Sequence, residues 1–348
     1  VTAMVDVTAE LPRRQASGPA RSARFQPRTA RGTPRHYAAL DLGTNNCRLL
    51  IARPQGDGFA VVDAFSRIVR LGEGLAHSGA LSDAAIERTI AALRVCADKL
   101  KRRNVTLARS VATEACRRAS NGASFIARVL EETGIHLDII SAEEEARLAV
   151  LGCHALLEPG TGPALVFDIG GGSTELVLVD ADSTVPKVRD WHSAPWGVVS
   201  LTESAGGGGN AEERAKAYKR MRALVAESFA PFAARLPRPS GTPRLLGTSG
   251  TVTTLASVHL GLERYDRAQV DGLIAPAAAM RTISQALAGM SLADRAKLPC
   301  IGRERADLVV AGCAILEGIL DLWPAERLGV ADRGIREGIL RRLMETGA

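Results

Sequence analysis

At 348 residues the chain is long enough for two ordinary domains or one bilobal unit. With 24% charged and 46% hydrophobic residues it has a soluble globular composition, and no apolar run reaches the roughly 18 residues of a membrane span or forms a secretory leader. The net charge of +6 is concentrated: residues 1–36 hold seven arginines against Asp6 and Glu10, a surplus of +5, so the remainder stands at +1 and its bulk charge is poor grounds for a polyanionic partner. Six cysteines without a C-x-x-C pair point to reduced thiols and a cytoplasmic location. The six histidines show no metal-ligand or triad spacing.

Residues 1–35 mix Arg, Pro, Ala, Ser and Thr without apolar periodicity. Pro12, Pro19, Pro27 and Pro34 interrupt any long helix, so a disordered tail is expected. Strands are predicted over 37–40, 47–53 and 60–66, with turns at 41–46 and 56–58. Ser82 caps a predicted helix over 82–101, in which Ile86, Ile90, Leu93 and Ala97 share a face. A strand over 107–112, a helix over 123–133, a strand over 137–140 and a helix from 141 to about 157 follow. The Pro- and Gly-bearing segment 158–163 closes the first half. The second half restarts with a strand over 164–168, a glycine turn at 169–173, and strands over 174–180, 188–192 and 198–201. A flexible loop at 206–209 follows, then a helix over 211–235, a short strand over 244–246, and helices over 251–259, 277–288, 303–320 and 333–345.

The main organisational clue is internal. "YAALDLGTNNCRLLIA" aligns with "ALVFDIGGGSTELVLV", two copies of strand, Asp, Gly-containing turn and returning strand about 127 residues apart. A duplicated lobe with a cleft between the copies follows: a tail over 1–35, one lobe over 36–160 and another over 161–348, the last helix packing back on the first.

The turns carry the chemistry. In the first, Gly43 lets the backbone turn tightly, so that N–H groups and the Thr44 and Asn45 side chains can meet one anion, while Asp41 can hold a metal ion or orient a water. A polar hairpin has the same composition. In the second, Gly170, Gly171, Gly172 and Ser173 leave no bulk against a phosphate, and Asp168 and Glu175 flank them, suited to a hard cation such as Mg²⁺. The third, Gly247, Thr248, Ser249 and Gly250, opens a helix, as ordinary capping by Ser249 or Thr251 also would. Ser141 with Glu144 fits a capping box, and an acidic first turn suits the helix dipole, which would keep an exposed Glu145 ionised and able to deprotonate a water. Arg117, after a strand end, could clamp phosphate oxygens.

In this order and spacing the motifs resemble the exopolyphosphatase/guanosine pentaphosphate phosphohydrolase family, within the actin-like, sugar-kinase and heat-shock ATPase superfamily. The resemblance runs from about Tyr37 to Leu340 through "ALDLGTNNCRLLIA", "RIVRLGEGL", "VATEACRRASN", "IISAEEEARLAVLG", "VFDIGGGSTELVLV", "GTSGTVTTLA" and "RADLVVAGCAIL". It implies an α/β fold of two actin-like (ribonuclease H-like) lobes, each a mixed sheet with flanking helices. It also implies a phosphohydrolase dependent on Mg²⁺ (or Mn²⁺) that removes the terminal phosphate of inorganic polyphosphate or guanosine pentaphosphate. By the same resemblance Glu145 activates water, Arg117 faces the cleft, and Asp168 and Glu175 support the metal. The glycine turns hold phosphate and a homodimer is expected; apart from the resemblance, Arg70 in "RIVRLGEGL" is a candidate for a further phosphate contact. Neither nucleic acid nor membrane is an expected partner. A kinase needing an acceptor and a non-catalytic polyphosphate- or alarmone-binding regulator keep the same fold.

Two departures stand out. Asp271-Gly272 replaces a His-Gly pair common in the family, and a short form without the C-terminal helical domains of longer members is expected. Removing residues 1–35 is expected to preserve kcat and to raise KM in a salt-sensitive way, read from turnover on polyphosphate at low and high ionic strength; a collapse of kcat would place the tail in the site.

Overall fold

A computed structural model describes residues 35–180, 187–206, 208–237 and 242–346. The expected tail lies outside the described residues apart from Arg35, and the loop at 206–209 lies partly outside them.

Two mixed sheets repeat one plan. In the first, β1 (His36–Leu42), β2 (Asn46–Gln55) and β3 (Gly58–Ile68) form an antiparallel meander, and β4 (Val105–Ala112) and β5 (Leu137–Ile139) extend it in parallel, giving the order β3-β2-β1-β4-β5. In the second, β6 (Pro163–Ile169), β7 (Thr174–Asp180) and β8 (Lys187–Ala194) form the meander. The strands β9 (Arg244–Thr248) and β11 (Arg327–Ala331) run parallel to β6, and β10 (Ile274–Pro276) closes the edge antiparallel. The first sheet carries helices α1 (Leu75–Ser78), α2 (Asp83–Arg102), α3 (Glu114–Arg118), α4 (Gly122–Thr133) and α5 (Ala142–Cys153). The second carries α6 (Val198–Ala205), α7 (Ala211–Ala233), α8 (Gly250–His259), α9 (Arg267–Val270), α10 (Ala277–Gly289), α11 (Leu292–Lys297) and α12 (Val309–Leu322), while α13 (Ile335–Thr346) follows β11 in the chain but packs on the first sheet. No described helix is long and apolar enough to cross a membrane.

Strand β1 is buried on both faces, so alternate residues enter different cores. Ala38, Leu40 and Leu42 pack with Ile90 and Leu93 of α2, while Tyr37 and Ala39 pack with Leu148 of α5 and Ile339 of α13. The last helix of the chain therefore lies on the first sheet. Two glycines set the α5–α13 crossing. A Cβ on Gly152 would lie 1.9 Å from the Gly334 carbonyl oxygen, and one on Gly338 would lie 2.1 Å from that of Leu148.

Several predicted elements differ. The Val-Val-Ser-Leu run at 198–201, expected to be a strand, begins α6. Its first N–H groups donate to the second glycine turn, Val198 to the Gly170 oxygen at 3.0 Å and Val199 to the Gly171 oxygen at 2.8 Å, and these bonds override β-propensity. The helix expected over 303–320 starts only at Val309, and that expected over 141–157 ends at Cys153 in a single 3₁₀ turn. Strands β10 and β11 were not predicted: one is three residues long, and the other is five residues interrupted by Gly329. Ser82 caps α2 as expected, accepting from the Ala85 N–H at 3.3 Å. All six cysteines are free.

Gly152→Ala and Gly338→Ala are each expected to cost about 2–3 kcal/mol in urea unfolding. Gly289→Ala, where a Cβ meets nothing within 4 Å, is expected to be neutral or slightly stabilising. Equal effects at the three positions would contradict the close crossing.

Candidate active site

Each repeated hairpin ends β1 or β6 with an aspartate and turns through a glycine. The Gly43 N–H donates to the Asn46 oxygen at 2.9 Å, and the Gly170 N–H to the Ser173 oxygen at 3.0 Å. Across the ladders Asp41 pairs with Arg48 and Asp168 with Glu175. A third strand end, at β11, delivers Asp332, Arg333 and Gly334 to the same cleft. The second turn's glycines permit the close approach of the first turn. A Cβ on Gly171 would lie 2.9 Å from both the Asn45 nitrogen and the Thr44 Cβ, and one on Gly172 would lie 2.6 Å from the Thr44 hydroxyl.

Glu145 stands in the first turn of α5, whose N-terminus Ser141 caps by accepting from the Glu144 N–H at 3.1 Å. The capping box is half made, because the Glu144 carboxylate pairs with Arg109 at 2.6 Å instead. Glu145 is not the exposed, ionised group expected from its place on the helix. It is 7% exposed, and burial, reinforced by the nearby Glu175 carboxylate, pushes its carboxyl well above the usual range against the pull of Arg117. Arg117 donates to Glu145 Oε2 at 2.8 Å, to Glu114 Oε2 at 2.8 Å and to the Ile140 oxygen at 2.8 Å. Burial also pushes Asp168 up to about 6, helped by Asp41 and opposed by Arg48, and pushes Glu175 up to about 7, helped by Asp168. Asp41 is raised by the same cause, with Arg48 and Arg336 opposing.

Asp41, Gly43, Thr44, Asn45, Glu145, Asp168, Gly170, Gly171, Gly172, Ser173, Thr248 and Ser249 line one cavity. Gly250 lines an adjoining one. Arg117 lines neither and stands behind Glu114 and Glu145. Glu175 also lines neither, and accepts from the Ser193 hydroxyl at 2.9 Å. Gly247 serves packing: a Cβ there would lie 2.4 Å from the Phe167 ring. Ser249 precedes α8 but its side chain caps nothing, and its φ of 83° is strained for a residue other than glycine. Asp271, the departure from the family pattern, holds Arg333 Nε at 2.7 Å and accepts from the Asp332 N–H at 3.0 Å, behind the third strand-end turn.

Sequence reasoning did not find Arg48, Arg305, Asp332 or Arg336. The repeat held a signal for Arg48, which occupies the place of Glu175 in the other copy. Asp332 and Arg336 follow an unpredicted strand.

An oxygen-only donor set suits a hard divalent cation, and Asp41 Oδ1, Thr44 Oγ1 and Asn45 Oδ1 are buried without a hydrogen-bond partner. No three acidic, histidine or cysteine side chains among the described residues converge as a complete ligand set. The residues thus fit a cation held by one or two carboxylates with substrate oxygens completing its shell.

The sequence model of the Ppx/GppA phosphatase family matches residues 50–346. The chain belongs to the Ppx/GppA phosphatase family. It is 32% identical over 316 residues to Exopolyphosphatase 2 of Mycobacterium tuberculosis, a match covering 87% of this chain and 96% of that protein. It is 31% identical over 313 residues to the guanosine-5'-triphosphate,3'-diphosphate pyrophosphatase of Aeromonas hydrophila, covering 88% of this chain and 59% of that one. The crystal structure of the Aquifex aeolicus Ppx/GppA member superposes with a TM-score of 0.74 at 29% identity, over 90% of this chain and 99% of that one. An exopolyphosphatase from Cytophaga hutchinsonii, 23% identical over 90% of this chain and 99% of that one, shares the fold at a TM-score of 0.80.

The raised carboxyls give this Ppx/GppA member a pH signature. Folded Glu175 keeps its proton up to about pH 7, whereas the unfolded chain releases it in the ordinary carboxylate range. Folding then favours proton uptake between those values, so this group's contribution to stability declines as pH rises through them. Without divalent cation, the Tm of the native protein relative to Glu175→Gln is expected to fall by several degrees from pH 5 to pH 8. The opposite slope in differential scanning calorimetry would contradict the assignment.

Proposed function

We propose that the chain is an exopolyphosphatase, hydrolysing the terminal phosphoanhydride of inorganic polyphosphate with Glu145 as general base. The carrying observation is the asymmetry of the two adjoining cavities. The first is lined by the carboxylates of Asp41, Glu114, Glu145, Asp168 and Asp332 against the guanidinium groups of Arg48, Arg333 and Arg336. The second has no carboxylate in its lining and presents Arg48 and Arg305 with the Thr251 and Thr254 hydroxyls. They share Asn45, Asn46, Arg48, Gly170, Gly171 and Ser249 and so form one channel. An acidic end suits activation of water, and a cationic end suits the rest of a phosphate chain.

The terminal phosphate then sits in the first cavity over the contact of the two glycine turns, whose outward N–H groups meet oxygens that gain charge in the transition state. A divalent cation on Asp168 and Asp41, with Thr44 and Asn45 oxygens near, would draw charge from the anhydride oxygens. Arg117 fixes Glu145 through Oε2, leaving Oε1 without a protein partner among the described residues, where it can accept the proton of an attacking water. The raised affinity of Glu145 for a proton makes it a stronger base than an exposed carboxylate and places the acid limb of turnover above the ordinary carboxylate range.

A second reading, hydrolysis of guanosine pentaphosphate, is favoured by the apolar side of the second cavity, where Ile169, Val198, Leu308 and Val309 could receive a nucleoside. Phosphate release in Mg²⁺ from long polyphosphate, tripolyphosphate and guanosine pentaphosphate, measured in parallel, separates the two. Polyphosphate is expected to give the highest kcat/KM, and a large nucleotide preference would reverse the order. Glu145→Gln is expected to lower kcat about 10³-fold while still binding polyphosphate; near-normal turnover would remove Glu145 from its role.

A further inference from the structure

Beyond the second cavity the two sheets are tied by a pair of contacts that the reaction does not require. Arg70, in the loop after β3, reaches the loop before α12. Its Nη1 stands 3.0 Å from Asp307 Oδ2, and its Nη2 donates to Asp307 Oδ1 at 3.3 Å and to the Glu304 oxygen at 3.2 Å. Asp307 and Glu304 flank Arg305, which lines the second cavity. Nearby, the Gly74 N–H donates to Glu203 Oε1 of α6 at 2.8 Å.

The Arg70 loop is also built onto the first phosphate turn. The N–H groups of Val69 and Arg70 donate to the Asn45 oxygen at 2.9 and 3.0 Å, and that of Gly72 donates to the Thr44 oxygen at 2.9 Å. Arg88 holds the loop from behind, donating to the Val69 oxygen at 3.1 Å. The backbone of Arg70 is thus fixed, with a φ of 48° that only such support maintains. Its guanidinium is placed against the segment that carries Arg305 into the second cavity. Both partners are about one-third exposed, at 33% and 32%, so the pair is open to exchange.

Asp307 offers Arg70 two oxygens in a fork, the arrangement that a phosphate offers equally well. We propose that Arg70 is a specificity-determining residue that exchanges Asp307 for the phosphate chain emerging from the second cavity, and so favours long substrates over short ones. This rests on the polyphosphate reading. Asp307 acts as a competing anion that holds the guanidinium in place until a chain long enough to reach it arrives. On this proposal a tripolyphosphate would end short of Arg70, and a long chain would reach it.

The test is a double-variant cycle with phosphate release from tripolyphosphate and from long polyphosphate. Arg70→Gln is expected to raise the ratio of KM for the long chain to KM for tripolyphosphate about tenfold, the worth of a hydrogen-bonded charge. Asp307→Asn, which frees Arg70, is expected to lower that ratio, and the gain should vanish in the Arg70→Gln/Asp307→Asn double variant. A purely structural clasp predicts instead that both single variants shift both substrates in the same direction with a parallel loss of Tm, which would overturn the proposal. Persistence of the Asp307→Asn gain in the double variant would overturn it too, since removal of a negative charge would then suffice. No phosphate release by the native protein from either substrate would overturn the underlying reading and this one with it. Native activity on both, with an unchanged ratio in Arg70→Gln, would overturn this one alone.

Discussion

The site depends on one steric fact: two strand-end turns, one from each sheet, meet with no Cβ between them. Gly171 and Gly172 lie so close to Thr44 and Asn45 that any side chain would force the turns apart. Their contact closes the floor of the cleft and takes Asp41, Asp168 and Glu145 out of bulk water. Burial then raises the proton affinity of all three, and with it the demand for a cation or for positively charged side chains. A carboxylate cleft of this kind is a costly arrangement for an empty protein and a useful one for holding a polyanion, a cation and a water together.

The sequence revealed the parts that repeat. The Asp-Gly turns, the meanders around them and the acidic first turn of α5 were legible because strand alternation, glycine turns and capping are local rules. The elements that were misread are those decided by distant partners. The run at 198–201 has strand composition, yet it becomes a helix because the carbonyls of Gly170 and Gly171 receive its first N–H groups. Strand β11 is interrupted by Gly329, which weakens its strand signal, so Asp332 and Arg336 beyond it were not singled out. The burial of Glu145 was equally hidden: its helix position predicts an ionised surface group, and only the packing of α5 under the second turn reverses that.

The arginines show a division of labour. Arg117 is spent on Glu114 and Glu145, and serves the candidate base rather than the open cavity. Arg48 lines both cavities, Arg333 and Arg336 the first and Arg305 the second, and Arg70 pairs with Asp307 two residues beyond Arg305. Several guanidinium groups are thus gathered in and beside the two cavities, so a folded part with a net charge near zero still presents local positive charge there.

The central claim is that water, deprotonated by Glu145, attacks the terminal phosphorus. Hydrolysis of polyphosphate in ¹⁸O-labelled water, with mass analysis of both products, addresses it directly. The account predicts one ¹⁸O atom in each released orthophosphate and none in the shortened chain. Label in the residual chain would mean attack at an inner phosphorus, and absence of released orthophosphate would mean that the cleft binds phosphate chains without cleaving them.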